Sequence, residues 1–313
     1  MPCYYPITAW QSRHKRPSTG KSIILFKQPQ TKNNFETITV PCNKCIGCRL
    51  ERSRQWAIRA VHEAQLHKDN VFITLTFSDE NLPANKSLIK SDFQKFIKRL
   101  RKKFKGKKIL YLHVGEYGEV TNRPHHHAIL FGIDFPDKKY LRKSKDGHKI
   151  YTSKILESLW SVTDKKSPYY KRALGIHEIG AVTFESAAYI ARYCCKKQNE
   201  KQPYMLKSKY LSDGRLKEYN SMSLKPAIAK KWLEKYQHTD VFNTDTVTIR
   251  GGAKCRPPKY YSNQYQLTNP KEFEIIQLNR KEKAKNNPDN TQERLDVRRK
   301  IKEQKFKQLK RSL

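Results

Sequence analysis

Acidic residues are scarce in this 313-residue chain: 29 Asp and Glu stand against 65 Lys and Arg, a formal net charge of +36. Like charges at that density repel across a folded surface, so the imbalance points to a polyanionic partner, of which nucleic acid is the commonest. Apolar residues are also few: counting Gly and omitting Tyr, they make up roughly 35% against a usual ~45–50%. That suffices for one good core but not for the full length, which is enough for one large domain or two ordinary ones. No apolar run approaches the ~18–20 residues that span a bilayer, which predicts no membrane partner. The opening Met1-Pro2-Cys3-Tyr4-Tyr5-Pro6 lacks a charged stretch followed by an apolar one, which predicts no secretory signal. The seven cysteines are an odd number, and three crowd into Cys42-Asn43-Lys44-Cys45-Ile46-Gly47-Cys48. Gaps of two residues suit metal ligation better than a disulfide framework and predict a reducing, intracellular location. Internal repeats are absent.

Residues 1–48 read as an irregular, Cys-bearing segment with one strand at 22–26. A helix is predicted over 49–67, where Leu50, Trp56, Ala57, Ala60, Val61 and Ala64 recur at helical spacing and Arg49, Arg52, Arg54 and Arg59 take other faces. Residues 71–77, β-branched and aromatic, form a strand stopped by Ser78-Asp79-Glu80. Ser91-Asp92-Phe93-Gln94 has the capping-box pattern, and behind it Phe93, Phe96, Ile97, Leu100 and Phe104 make one stripe of a basic amphipathic helix. Strands at 109–114 and 125–132 form a hairpin across the turn 115–124. A polar stretch, 136–147, precedes a helix at 154–160, a strand at 176–183 and a helix at 185–197. The order β-α-β-β-(α)-β-α predicts an α+β fold: an antiparallel central sheet with helices on one face, a ferredoxin-like layer over 49–200. Residues 201–270 read as an accessory region with one helix at 226–236. The tail, 271–313, holds 14 Lys and Arg against 7 Asp and Glu and is either a solvated helix or disordered, basic enough to touch nucleic acid.

Pro124-His125-His126-His127-Ala128-Ile129-Leu130-Phe131-Gly132 carries three of the ten histidines. Alternation on a strand sends His125 and His127 one way and His126 the other. Two imidazoles on one face are a ready pair of divalent-metal ligands, or else ordinary surface histidines on an edge strand. Glu116, across the hairpin turn, is placed to complete a mixed nitrogen and oxygen site, with Glu119 as the fallback. In Ala187-Ala188-Tyr189-Ile190-Ala191-Arg192-Tyr193-Cys194-Cys195-Lys196-Lys197, Tyr189 and Tyr193 are one helical turn apart and Lys196 shares their face. Two tyrosines on a stripe are often amphipathic packing, but this stripe ends in a lysine. A phenol of pKa near 10 is a weak nucleophile; a cation and a metal beside a scissile phosphate are what its chemistry needs.

A strand, then the His-x-His strand, then Tyr-x-x-x-Tyr-x-x-Lys: in that order these motifs resemble the HUH endonucleases, the rolling-circle replication initiators. With the Gly115-Glu116-Tyr117-Gly118 turn, the start at 1–6 and Pro41-Cys42-Asn43-Lys44-Cys45, the resemblance narrows to the initiators of gokushovirus-type single-stranded DNA phages (Microviridae), over roughly residues 1–200. It implies an HUH/RRM-like fold in which the first strand is structural and lies beside the DNA. It implies that His125, His127 and Glu116 bind Mg²⁺ or Mn²⁺, that Tyr189 and Tyr193 are paired nucleophiles, and that Lys196 accompanies them. His126 occupies a position usually bulky and apolar in the family, which suggests a less buried opposite face. The implied reaction is nicking and rejoining of single-stranded origin DNA through a 5′-phosphotyrosine, with host polymerase and helicase as partners, the host bacterial cytoplasm as location and no small-molecule substrate. A non-enzymatic basic nucleic-acid-binding protein explains the charge but not the ordered motifs. A relaxase or transposase would share the chemistry and differ in the job.

Cys42, Cys45 and Cys48 can supply three thiolates to a tetrahedral Zn²⁺, with Cys3 as the fourth ligand. Free thiols are the equal alternative, and an iron–sulfur cluster a third.

Overall fold

The computed structural model of the chain describes residues 3–17, 22–118, 121–144, 147–163, 171–196, 210–285 and 287–308. Contacts gather the chain into two compact units, Met1–Glu51 with Ile275–Lys310, and Arg52–Glu274 with the last three residues. No helix among the described residues is long and apolar enough to cross a membrane.

The first unit holds a three-stranded antiparallel sheet, β1 (Ile7–Lys15), β2 (Ser22–Leu25) and β3 (Phe35–Val40), in the order β2-β1-β3. Sequence reasoning finds only the strand at 22–26. Ile7 is exposed and Ala9 is the one buried apolar residue of β1, so the strand shows little of the alternation by which strands are read. α1 (Ile46–Ala64) begins in this unit.

The second unit is built on a seven-stranded antiparallel sheet. Its strands are β4 (Asn70–Thr76), β5 (Leu110–Tyr117), β6 (Pro124–Phe131), β7 (Lys139–Lys143), β8 (Lys149–Thr152), β11 (His177–Gly180) and β12 (Tyr219–Met222), in the order β12-β5-β6-β4-β11-β8-β7. Two short hairpins accompany it: β9 (Ser161–Thr163) with β10 (Lys171–Ala173), and β13 (Val247–Thr248) with β14 (Lys254–Cys255). The helices are α2 (Lys90–Lys103), α3 (Lys154–Leu159), α4 (Phe184–Lys196), α5 (Lys230–Tyr236) and α6 (Lys259–Thr268). The basic C-terminal segment forms α7 (Pro270–Lys285) and α8 (Gln292–Gln308).

Within the large sheet, β4 and β5 are separated by β6, antiparallel to both, and are joined through α2. The local order β5-β6-β4-β11 is the split β-α-β of ferredoxin-like layers. On one face Val71, Ile73 and Leu75 of β4 meet Phe93, Phe96, Ile97 and Leu100 of α2, Leu156 and Leu159 of α3, and Trp160. The other face is covered as well: Ala187, Ile190 and Ala191 of α4 are fully buried, and Tyr189 meets Phe72 of β4 edge-on. Helices therefore lie on both faces, not one, because β5 and β6 are buried along almost their whole length, the pattern of strands covered on two sides.

Two local expectations are corrected. The polar stretch 136–147 contains β7, a fully exposed edge strand whose lack of a buried face leaves no alternation to read. α2 starts at Lys90 behind Ile89, with no side-chain cap, so Ser91 falls inside the first turn and the Ser91–Gln94 capping box does not form. A reciprocal cap does open α4, unread in the sequence: Thr183 N donates to Ser186 Oγ at 2.9 Å and Ser186 N to Thr183 Oγ1 at 3.1 Å.

Candidate active site

Strand register does the first work here. β5 and β6 set Glu116 directly across from His125, and β4 and β6 set Thr74 across from His127. Pleating turns these side chains to the face that α4 covers. Glu116 Oε1 lies 3.0 Å from His125 Nε2 and 3.1 Å from His127 Nε2; one carboxylate and two imidazoles thus offer ligand atoms within 4.8 Å of one another.

A partner behind each ring fixes its orientation. His125 Nδ1 is 3.0 Å from the Arg123 carbonyl, an atom that only accepts, so Nδ1 carries a proton and Nε2 is the nitrogen turned toward Glu116. His127 Nδ1 is 2.9 Å from Thr74 Oγ1. Glu116 Oε2 and His127 Nε2 are buried with no hydrogen-bond partner. An orphaned carboxylate oxygen and an orphaned imidazole nitrogen, buried side by side, form an arrangement that a cation between them resolves, and two imidazoles with a carboxylate suit a divalent ion. Burial pushes the Glu116 carboxyl up, but the His125 and His127 imidazoles outweigh it and hold the group below its ordinary value. Burial lowers His127, keeping it the neutral imidazole that a metal needs.

α4 brings Tyr189 to this cluster. Its hydroxyl donates to Glu116 Oε1 at 3.3 Å, and its ring stands edge-on to His127 with centroids 5.2 Å apart. Tyr193 and Lys196 belong to the same helix, but their side chains, those of Cys194 and Cys195, and Glu119 lie outside the described residues.

His126 faces the opposite way and corrects the expectation of a less buried face. It is wholly buried among Phe77, Phe93 and Trp160. The polar ring survives there because His126 Nδ1 meets His113 Nε2 at 3.1 Å, and His113 Nδ1 meets Ser221 Oγ of β12 at 2.9 Å. Burial pulls His126 down to about 3 and His113 well below its ordinary value, so both are neutral near pH 7. Gly115, expected in the turn, lies inside β5 for a packing reason: a Cβ there would stand 2.9 Å from Tyr219 Cε1 and 3.3 Å from His126 Nδ1.

The chain is similar over most of its length to replication proteins of phages. It is 33% identical over 285 residues to the replication-associated protein VP4 of Bdellovibrio phage phiMH2K, covering 87% of this chain and 80% of that one. This chain belongs to the family of phage replication-associated proteins. The replication-associated protein ORF2 of Spiroplasma virus 4 is 32% identical over 265 residues, 82% of this chain and 77% of that one. The replication-associated protein ORF4 of Chlamydia phage 1 is 32% identical over 166 residues, half of this chain and 38% of that one. The family model for replication-associated protein ORF2/G2P matches residues 70–199, a stretch that opens at β4 and runs through α4, so the whole candidate site lies on the family's matched segment. No solved structure matches the chain.

Thr74 and the Arg123 carbonyl are members of this candidate site that sequence reasoning misses. A backbone carbonyl leaves no signal in a sequence. Thr74 leaves a faint one, a polar position between Phe72 and Thr76 on the His127 face of β4.

Proposed function

We propose that this protein initiates phage genome replication by nicking and rejoining single-stranded DNA at the origin through a tyrosine transesterification. One observation carries the reading: the Tyr189 hydroxyl reaches, at 3.3 Å, the same Glu116 oxygen that faces His125 and His127. A phenol beside a two-histidine, one-carboxylate set is an unusual expense for packing alone, and the net charge of +36 suits a DNA substrate.

Glu116, His125 and His127 would hold Mg²⁺ or Mn²⁺, and the ion, when bound, would polarise the scissile phosphate as a Lewis acid. The rest of the work falls to the chain. Thr74 and the Arg123 carbonyl fix the two rings. Glu116 Oε1 accepts the phenolic hydrogen and orients the Tyr189 oxygen toward the reacting centre. That oxygen gives its proton to solvent and attacks phosphorus, the 3′-oxygen leaves and takes a proton from solvent, and the phosphodiester becomes a 5′-phosphotyrosine ester plus a free 3′-OH for a host polymerase. The ester keeps the energy of the broken bond, so rejoining needs no ATP. Tyr193, one turn along α4 and ~6 Å on, would cut the regenerated origin while the first tyrosine still holds the old 5′ end, with Lys196 neutralising phosphate charge. The setting is the host bacterial cytoplasm.

The test is mass spectrometry of peptides from the full chain incubated with single-stranded origin DNA and Mn²⁺. An oligonucleotide esterified to Tyr189 or Tyr193 is expected, and the Tyr189→Phe, Tyr193→Phe double variant should bind DNA and lose all cleavage. Nicking that survives in the double variant removes the tyrosines from the mechanism.

A further inference from the structure

Far along the sequence from the site just described, four cysteines of the first unit converge. The Sγ atoms of Cys3, Cys42, Cys45 and Cys48 all lie within 4.8 Å of one another, with Cys42 and Cys48 at 4.0 Å. Four sulfurs around one tetrahedral ion at the usual zinc–sulfur length of ~2.3 Å stand about 3.8 Å apart. A disulfide would bring a pair to ~2.05 Å, and all four are free thiols. An iron–sulfur cluster binds its thiolates to different irons, which holds the sulfurs further apart than this set.

The backbone around the cluster is shaped for thiolates. Cys42 N donates to Cys3 Sγ at 3.2 Å, Tyr4 N to Cys45 Sγ at 3.4 Å, Cys45 N to Cys42 Sγ at 3.4 Å and Cys48 N to Cys45 Sγ at 3.5 Å. Amides aimed at sulfur favour its charged form. Asn43, between the first two cysteines of the loop, takes the left-handed conformation at φ 60°, and this bend folds Cys42 and Cys45 toward the same point. Cys48 lies in the first turn of α1, where a helix favours negative charge.

The apolar core of this unit is thin. Among its described residues the buried apolar side chains are Cys3, Tyr4, Ala9, Cys48 and Leu295, while Ile7, Ile24, Phe26, Leu278 and Ile301 stand exposed. So thin a core gives little hydrophobic stabilisation, and small units in that position draw on metals or disulfides. We propose that Cys3, Cys42, Cys45 and Cys48 bind one structural Zn²⁺, which staples the first residues of the chain to the entry of α1. The four thiols release their protons as the ion binds, with no change of oxidation state, and the binding free energy becomes folding free energy.

The experiment uses the full chain carrying His125→Ala and His127→Ala, so that zinc caught by the imidazoles is not counted, purified reduced and analysed for metals. About one zinc per chain is expected, retained in a Cys255→Ser variant and lost in Cys45→Ser. Because Cys45→Ser can fail to fold, X-ray absorption on the parent reads the ligands directly, and four sulfurs at about 2.3 Å are expected. Metal-free folded protein whose four thiols alkylate freely overturns the proposal. So does stoichiometric iron in place of zinc, or zinc bound through nitrogen or oxygen.

Discussion

Thr74 Oγ1, 2.9 Å from His127 Nδ1, sets the plane of the His127 ring. Thr74→Val keeps the shape and removes the oxygen at Nδ1, so the ring loses its anchor while the carboxylate and both imidazoles stay. Partners behind metal ligands are worth 10–100-fold in metal affinity or activity. The Mn²⁺ concentration needed for half-maximal nicking should rise by about that factor, Thr74→Ser should restore it, and DNA binding should not change. An unaltered metal requirement in Thr74→Val would show that the hydroxyl positions nothing. The same residues show how much of the site is written in the sequence. Glu116, His125 and His127 are legible because a hairpin pairs residues close in the chain and a strand's alternation is fixed. Tyr189 is legible through its helix. Thr74 is not, because its pairing with His127 spans 53 positions and depends on the order of the strands, which no local pattern encodes. His126 misleads for the same reason: the hydrogen-bond chain that runs from it through His113 ends at Ser221 of β12, a strand that only the folded sheet brings near.

At the scale of elements, the segments easiest to read are those with one apolar stripe, α2 above all, and the hardest are those whose partners are polar. α1 shows this well. Arg59, read as lying off the helix's apolar side, is buried; its guanidinium donates to the Ile228 carbonyl at 2.9 and 3.2 Å and stacks over Trp56 and Tyr260. One turn on, His62 Nδ1 meets the Tyr261 hydroxyl of α6 at 2.8 Å and its ring lies flat on Trp232 of α5, centroids 3.5 Å apart. Residues 228–261 read weakly because they are held to α1 through such polar and aromatic contacts and present no long hydrophobic stripe. The knot has a pH signature. Burial lowers His62 to about 4, below its unfolded value of ~6.5. Between those values the unfolded chain takes up a proton that the folded chain refuses, so the stability is fully present above ~6.5 and is lost as pH falls toward 4. The loss from this one group between pH 7 and pH 5 should be about 2 kcal/mol. Other buried histidines add to the total, so the check is a difference: urea unfolding of His62→Gln, which keeps a hydrogen-bonding group without the titration, should lose that much less than the parent over the same interval. Equal losses would mean that the ring protonates without cost in the folded state.

For the whole molecule the decisive quantities are the charge and the way the chain ends meet. The first unit joins Met1–Glu51 to Ile275–Lys310, a pairing across nearly the entire sequence that periodicity cannot announce, whereas the charge of +36 is open to a simple count. That charge makes a separation of binding from chemistry testable. Each phosphate neutralised by Lys or Arg releases counterions, giving single-stranded DNA a slope of ≈ −0.7 per contact in a plot of log affinity against log salt. The histidine and carboxylate cluster can contribute at most a contact or so to that slope, since it is one buried point in a chain carrying 65 Lys and Arg. His127→Ala should therefore abolish cleavage of origin DNA, while affinity for single-stranded DNA measured without divalent ions keeps its steep salt dependence, unchanged within about one contact's worth. A slope that collapses in His127→Ala would mean that the DNA is held chiefly at the histidine and carboxylate cluster, and that the surface charge serves some other partner.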